Sequence, residues 1–238
     1  MNTALSRFIR TTVTPNAGKI TAWDVVNESM ADGTSGLRTS ANTPVSSGAT
    51  DYFFWSDYLG REYALKAFNY AKAADPNALL FINDYNLESN GANLDSLLTY
   101  VRELQGKGAK IDGIGTQMDN SINTSRIGIE TMFQKLAATG LKIRVSELDI
   151  RINPSDASGF TATPALLESQ AEMYKYVVQS YMRNVPAAQR HGLTIRGVTD
   201  KDSWIVTALK KVDYPLLFNT DYSKEPAFYS FLLGLKGK

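Results

Sequence analysis

The chain has 238 residues, 43% of them hydrophobic, which is enough to bury a sizeable core as one large domain or part of one. Its 25 basic and 24 acidic residues leave a net charge of +1, with no basic stripe for nucleic acid and no acidic tail. The absence of cysteine excludes disulfides and cysteine-based zinc or redox sites, and the single histidine, His191, leaves too few ligands for a transition-metal centre. No apolar run reaches the ~18 residues that a membrane span needs. The opening MNTALSRFIRTT lacks the apolar stretch of a signal peptide.

Short apolar, β-branched runs alternate with longer segments of helical periodicity. KITAWDVVN (19–27) is expected as a strand that stops on Asn27 and Glu28. The loop 31–51 is long and rich in Gly, Ser, Thr and Asn, a length associated with function or mobility. A helix over 55–75 places Tyr58, Leu59, Ala64, Leu65, Phe68 and Ala71 on one face. ALLFIND (78–84) is the next strand, followed by a helix over 93–105 with Leu94, Leu97, Leu98, Val101 and Leu104 inward. IDGIGTQ (111–117) is the third strand. Asn123 or Thr124 is expected to cap a helix running to Thr139, before Gly140. LKIRVSEL (141–148) precedes a long helix over 164–183 that opens on Pro164, and LTIRGVTD (193–200) precedes a last helix over 226–234 that opens on Pro226.

Strand and helix thus alternate five times, the pattern of an α/β protein with a parallel sheet. The strands are apolar throughout, as when both faces are covered. Each ends in polar residues on its carboxyl side: Asn27 and Glu28, Asn83 and Asp84, Gln117 and Asp119, Glu147 and Asp149, Thr199 and Asp200. Ligands of parallel α/β folds bind at the carboxyl ends of strands, so five polar ends predict a polar pocket. No GxGxxG or GxxxxGK[ST] follows any strand, and no nucleotide cofactor is indicated. There is no internal repeat and no linker.

In order along the chain, WDVVNE (23–28), NDYN (83–86), GIGTQ (113–117), VSELDI (145–150), GVTDKDSW (197–204) and PLLFNTDYSKEPAF (215–228) resemble the motifs of glycoside hydrolase family 10, the endo-β-1,4-xylanases. The resemblance implies a (β/α)8 TIM barrel in which WDVVNE is strand four and VSELDI strand seven. Residues 1–238 are then expected to be the C-terminal part of the catalytic domain, strands four to eight, with a helix from Ala4 to Val13 ahead of them. Strands one to three, roughly 100 residues of a barrel of about 250, are expected to be absent. Such an arc exposes unpaired strand edges, which predicts marginal stability, self-association or pairing with a missing N-terminal half of the barrel.

The same resemblance assigns the chemistry. Glu28 is implied as general acid and then base, and Glu147 as nucleophile, of a retaining double displacement, with carboxyl groups ~5–5.5 Å apart. Asn27 is implied to bond the 2-hydroxyl of the sugar at the cleavage point, with Tyr85, Gln117 and Trp204 as further sugar-contacting positions. No metal or cofactor is implied. The implied substrate is xylan or xylo-oligosaccharides, and the implied location is secreted, periplasmic or at the cell surface.

Two positions depart from the family pattern. Asp119 stands where a histidine is usual, and Arg196 where a tryptophan is usual. Asp119 beside Glu147 and Asp149 would crowd three carboxylates, raising at least one pKa. Arg196 is expected to enter the same mouth and pair with the three. A cation in place of an aromatic wall would favour an acidic side group, such as glucuronate, near the cleavage site. The two departures and the missing strands also leave a second reading, a catalytically impaired xylan-binding module derived from a xylanase, and under the first reading the fragment alone is expected to be inactive.

Overall fold

The computed structural model describes residues 1–32, 36–43 and 52–237; much of the loop expected over 31–51 lies outside them. The chain divides into two compact units, Met1–Gly115 and Thr116–Lys238.

In the first unit, α1 (Asn2–Val13) buries Leu5, Ile9 and Val13, spaced by four so that they share one face, and packs on α3 (Tyr63–Ala74). Strand β1 (Ala22–Asn27) pairs in parallel with β2 (Leu79–Asp84), from Ala22 opposite Leu79 to Asn27 opposite Asn83. Leu80, Phe81 and Ile82 of β2 are wholly buried. Helix α4 (Gly91–Gly106) follows, capped by the Asn90 side chain, which accepts from the Asn93 amide. The third strand, β3 (Gly113–Thr116), needs its glycines: a Cβ on Gly113 would lie 2.1 Å from the Phe81 ring, and one on Gly115 would lie 2.1 Å from Asn83 Oδ1.

The helix expected over 55–75 is broken. A short α2 (Trp55–Leu59) ends at Gly60, whose φ of 65° turns the backbone out of the helix before α3 begins. The inward face is accordingly Tyr63, Ala64, Ala67, Phe68 and Ala71, while Tyr58 is exposed and Leu59 and Leu65 are half-buried.

In the second unit, a short strand absent from the sequence expectation, β4 (Asp119–Ser121), pairs in parallel with β5 (Lys142–Arg151). Met118, at φ 63°, turns the chain immediately before β4. Helix α5 (Arg126–Ala137) is capped by Ser125, not by Asn123 or Thr124. Strand β5 runs three residues beyond the expected Leu148 because β4 supplies a partner for Asp149, Ile150 and Arg151. On its other side β5 pairs in parallel with β6 (Arg190–Ile195), which ends five residues before the expected Asp200. The pairing closes at Leu148 opposite Ile195, so Arg196 and the residues to Asp200 lie beyond the ladder.

The longest helix, α6 (Pro164–Asn184), matches its expected start and packs on α8 (Pro226–Leu235). A Cβ on Gly234 would sit 2.9 Å from Val178 Cβ, so glycine lets the two helices approach. Between β6 and α8 lies the four-residue α7 (Trp204–Thr207), capped by the Ser203 hydroxyl.

Candidate active site

Within the first unit the ends of β1 and β2 meet, and within the second Gln117, Asp119, Glu147 and Asp149 gather, while Thr199 donates to Asp202 and Asp200 accepts from the Leu216 amide. In the first unit, Glu28 follows the last residue of β1 and has φ 56°, a left-handed conformation that costs a non-glycine residue about 1 kcal/mol. Three contacts hold it there. The Glu28 amide donates to the Asn83 carbonyl at 2.8 Å, continuing the ladder. Buried Asp84 accepts from the Met30 amide at 2.9 Å and from the Ser29 hydroxyl at 3.3 Å, which fixes the turn that follows. Dehydration pushes Asp84 up to about 6, although the Met30 and Tyr85 amides pull it down. Beside the turn, the Asn83 side-chain amide donates to Asn27 Oδ1 at 2.8 Å. That leaves the Asn27 NH2 group to donate elsewhere.

Arg38 organises the rest of this cluster. Its guanidinium lies 3.9 Å from Glu28 Oε2 and 3.6 Å from Asp32 Oδ2, donates to the Tyr85 hydroxyl at 2.5 Å, and donates to the Met30 carbonyl at 3.1 Å. The Tyr85 hydroxyl donates in turn to Asp32 at 2.5 Å. Dehydration and the Asp32 hydrogen bond push Tyr85 up to about 12. Sequence reasoning passed over both Arg38 and Asp32. The available signal was that Arg38 is the sole basic residue in the polar stretch 31–51.

In the second unit, Gln117 is buried and its carbonyl accepts from the Glu147 amide at 3.1 Å. Register places Asp119 of β4 directly opposite Asp149 of β5. Arg196 answers this crowding. One guanidinium nitrogen, Nη1, lies 2.7 and 2.8 Å from the two oxygens of Asp119 and 3.0 Å from Glu147 Oε2. The guanidinium carbon sits 4.3 Å from the centre of the Trp204 ring. Trp204 Nε1 donates to Asp149 Oδ2 at 2.8 Å. Asp149 is wholly buried, and its Oδ1 has no hydrogen-bond partner among the described residues. Dehydration first, then the charge of Asp119, push it up to about 8, so it holds its proton at neutral pH. Arg196 thus pairs with Asp119 and Glu147, and acts on Asp149 only through its field. Among the described residues no group of carboxylates and histidine could hold a metal ion.

A profile of Glycosyl hydrolase family 10 matches residues 1–233. Endo-1,4-beta-xylanase A of Cellvibrio japonicus is 36% identical over 98% of this chain, and the chain spans 40% of that protein's length. The solved structure of a thermostable mutant of the xylanase Xyn10A from the same organism superposes with a TM-score of 0.83 at 36% identity, covering 98% of this chain and 70% of that one. A GH10 structure from Paenibacillus barcinonensis gives 0.87 at 30% identity, covering 97% and 66%. The fold class is α/β of the TIM-barrel type, and the chain belongs to glycosyl hydrolase family 10.

Proposed function

We propose that the chain carries the catalytic machinery of an endo-β-1,4-xylanase that hydrolyses xylan with retention of configuration. One observation supports this most. WDVVNE and VSELDI each supply a half-buried glutamate, Glu28 and Glu147, in a chain that a Glycosyl hydrolase family 10 profile matches over residues 1–233. The similar proteins from Cellvibrio japonicus are named as endo-xylanases.

In the proposed reaction Glu147 attacks the anomeric carbon while Glu28 gives its proton to the departing glycosidic oxygen. Water then attacks the same carbon, the bond to Glu147 breaks, and Glu28 takes the proton from water. Asn27, with its carbonyl oxygen engaged by Asn83, is assigned to donate from its NH2 group to the 2-hydroxyl of the sugar. Gln117 and Trp204 are assigned to the sugar walls. The Tyr85 hydroxyl is taken up by Asp32 and Arg38, and the Arg38 guanidinium lies 5.4 Å from the centre of one face of the ring, so the opposite face is assigned to a sugar.

The unit containing Arg196 favours a neutral xylosyl unit over glucuronate. Asp119 and Glu147 carry two negative charges against the one positive charge of Arg196, which is already engaged by both. No helix among the described residues is long and apolar enough to cross a membrane. Action on polymeric xylan places the enzyme outside the cytoplasm in this reading. Self-association and pairing with another half-barrel have no support from these relatives and are not part of the proposal.

The test is release of reducing sugar from xylan, with proton NMR of the first-formed anomer. Release of the β-anomer, abolished by Glu147→Ala, is expected. Formation of the α-anomer overturns the retaining mechanism, and binding of xylan without release returns the chain to the non-catalytic reading.

A further inference from the structure

We infer that Arg196 is a positioning residue that biases the two halves of the reaction, slowing attack by Glu147 and speeding its release. The inference rests on the proposed role of Glu147 as nucleophile.

The guanidinium is held from three directions. Asp119 binds it through both oxygens at 2.7 and 2.8 Å, Trp204 lies beneath it at 4.3 Å, and Glu147 stands at 3.0 Å. Trp204 is itself tied to Asp149 at 2.8 Å. Only 27% of the Arg196 side chain is exposed, so its charge is screened less than that of a surface arginine. With Asp119 and Trp204 as anchors, the cation stays in place when Glu147 loses its charge.

The charge of Glu147 changes twice per turnover. On attack, a carboxylate oxygen forms a bond to the anomeric carbon, the bond to the leaving oxygen breaks with the proton of Glu28, and Glu147 becomes a neutral ester. On release, water forms the new bond, its proton goes to Glu28, and the ester electrons return to Glu147 as a carboxylate. A fixed cation stabilises the carboxylate and has little interaction with the ester. It therefore raises the barrier to attack and lowers the barrier to release, where it meets the returning charge without reorganising. Attack is then rate-limiting even for substrates with a good leaving group.

The experiment uses 2,4-dinitrophenyl β-xylobioside in stopped flow, with the unaltered protein, Arg196→Gln, Arg196→Lys and Asp119→Asn. The unaltered protein is expected to show no burst of phenolate, with kcat falling steadily as the leaving group worsens. Arg196→Gln is expected to slow release at least about tenfold and to give a burst approaching one phenolate per enzyme. Arg196→Lys, which keeps the charge, should restore most of the unaltered behaviour, and Asp119→Asn carries the comparison if the Gln variant fails to fold. Asp119→Asn, which loosens the anchor, should give an intermediate burst. A merely structural role for Arg196 would slow both steps together without a burst, and that result overturns the inference. So does a full burst from the unaltered protein.

Labelling with a 2-deoxy-2-fluoro analogue, read by mass spectrometry, separates the two readings. An adduct on Glu147 with no burst in Arg196→Gln overturns this inference alone. An adduct on another residue, or no turnover of any xyloside, overturns the proposed function and this inference with it.

Discussion

Asp119 and Asp149 stand opposite each other in the ladder between β4 and β5, and their repulsion is resolved unequally. Asp119 remains half-buried and takes Arg196 as its counter-ion. Asp149 is wholly buried, takes the Trp204 indole N–H, and keeps its proton, with its pKa pushed up to about 8. Like charges facing across a ladder destabilise it. Here one member is paired and the other neutral, so Glu147, two residues before Asp149, faces a cation.

A pH dependence of stability follows. Asp149, Asp200 and Asp84 are pushed up to about 8, 7 and 6, in each case chiefly by dehydration. An unfolded aspartate titrates near ~4, so the native state holds protons that the unfolded chain releases. The contribution of these groups is complete below about pH 4, falls as pH rises, and is exhausted above about pH 8. Asp149→Asn keeps an acceptor for Trp204 and removes the largest of the three effects. Urea unfolding at several pH values should show a flatter profile for this variant, with a gain on the order of a few kcal/mol at pH 8 relative to pH 5.

Asp119 and Arg196 should be energetically coupled. Removing Arg196 alone leaves two partly buried carboxylates facing Asp149, and Arg196→Gln is expected to cost about 1–3 kcal/mol. The double variant Asp119→Asn with Arg196→Gln should cost less than the sum of the single changes. Denaturant titration of the four proteins measures the coupling, and strict additivity would remove the ion pair from the account.

The left-handed backbone of Glu28 makes a further prediction. Glycine adopts φ near 56° without the penalty that a Cβ brings. Glu28→Gly should therefore melt no lower than Glu28→Ala, by a margin of about 1 kcal/mol, the reverse of their order in ordinary strand. Both should lose hydrolysis of substrates whose leaving group needs a proton.

A methyl group on Gly115 tests how Asn27 is held. It would lie 2.1 Å from Asn83 Oδ1, and Asn83 is the residue that holds Asn27. Gly115→Ala should cost about 1–3 kcal/mol by overpacking. In the proposed reaction it should lower kcat more than it raises KM, because Asn27 then loses its place at the 2-hydroxyl. An unchanged kcat in a destabilised variant would separate Asn83 from the site.

The sequence alone was enough to recover the alternation of strand and helix and the polar residues that close β1 and β2. Hydrophobic periodicity and residue order are local properties, and the starts of α6 and α8 at Pro164 and Pro226 are legible because proline suits a first turn. The break at Gly60 was legible in principle, but an apolar pattern running through it concealed the change of face. The short β4, the register that sets Asp119 against Asp149, the choice of Asp149 as the protonated member, and the engagement of Glu28 by Arg38 were decided by tertiary structure. Each depends on which side chains meet across strands and loops far apart in the chain, and on how much water remains around them, and neither is written into any single segment.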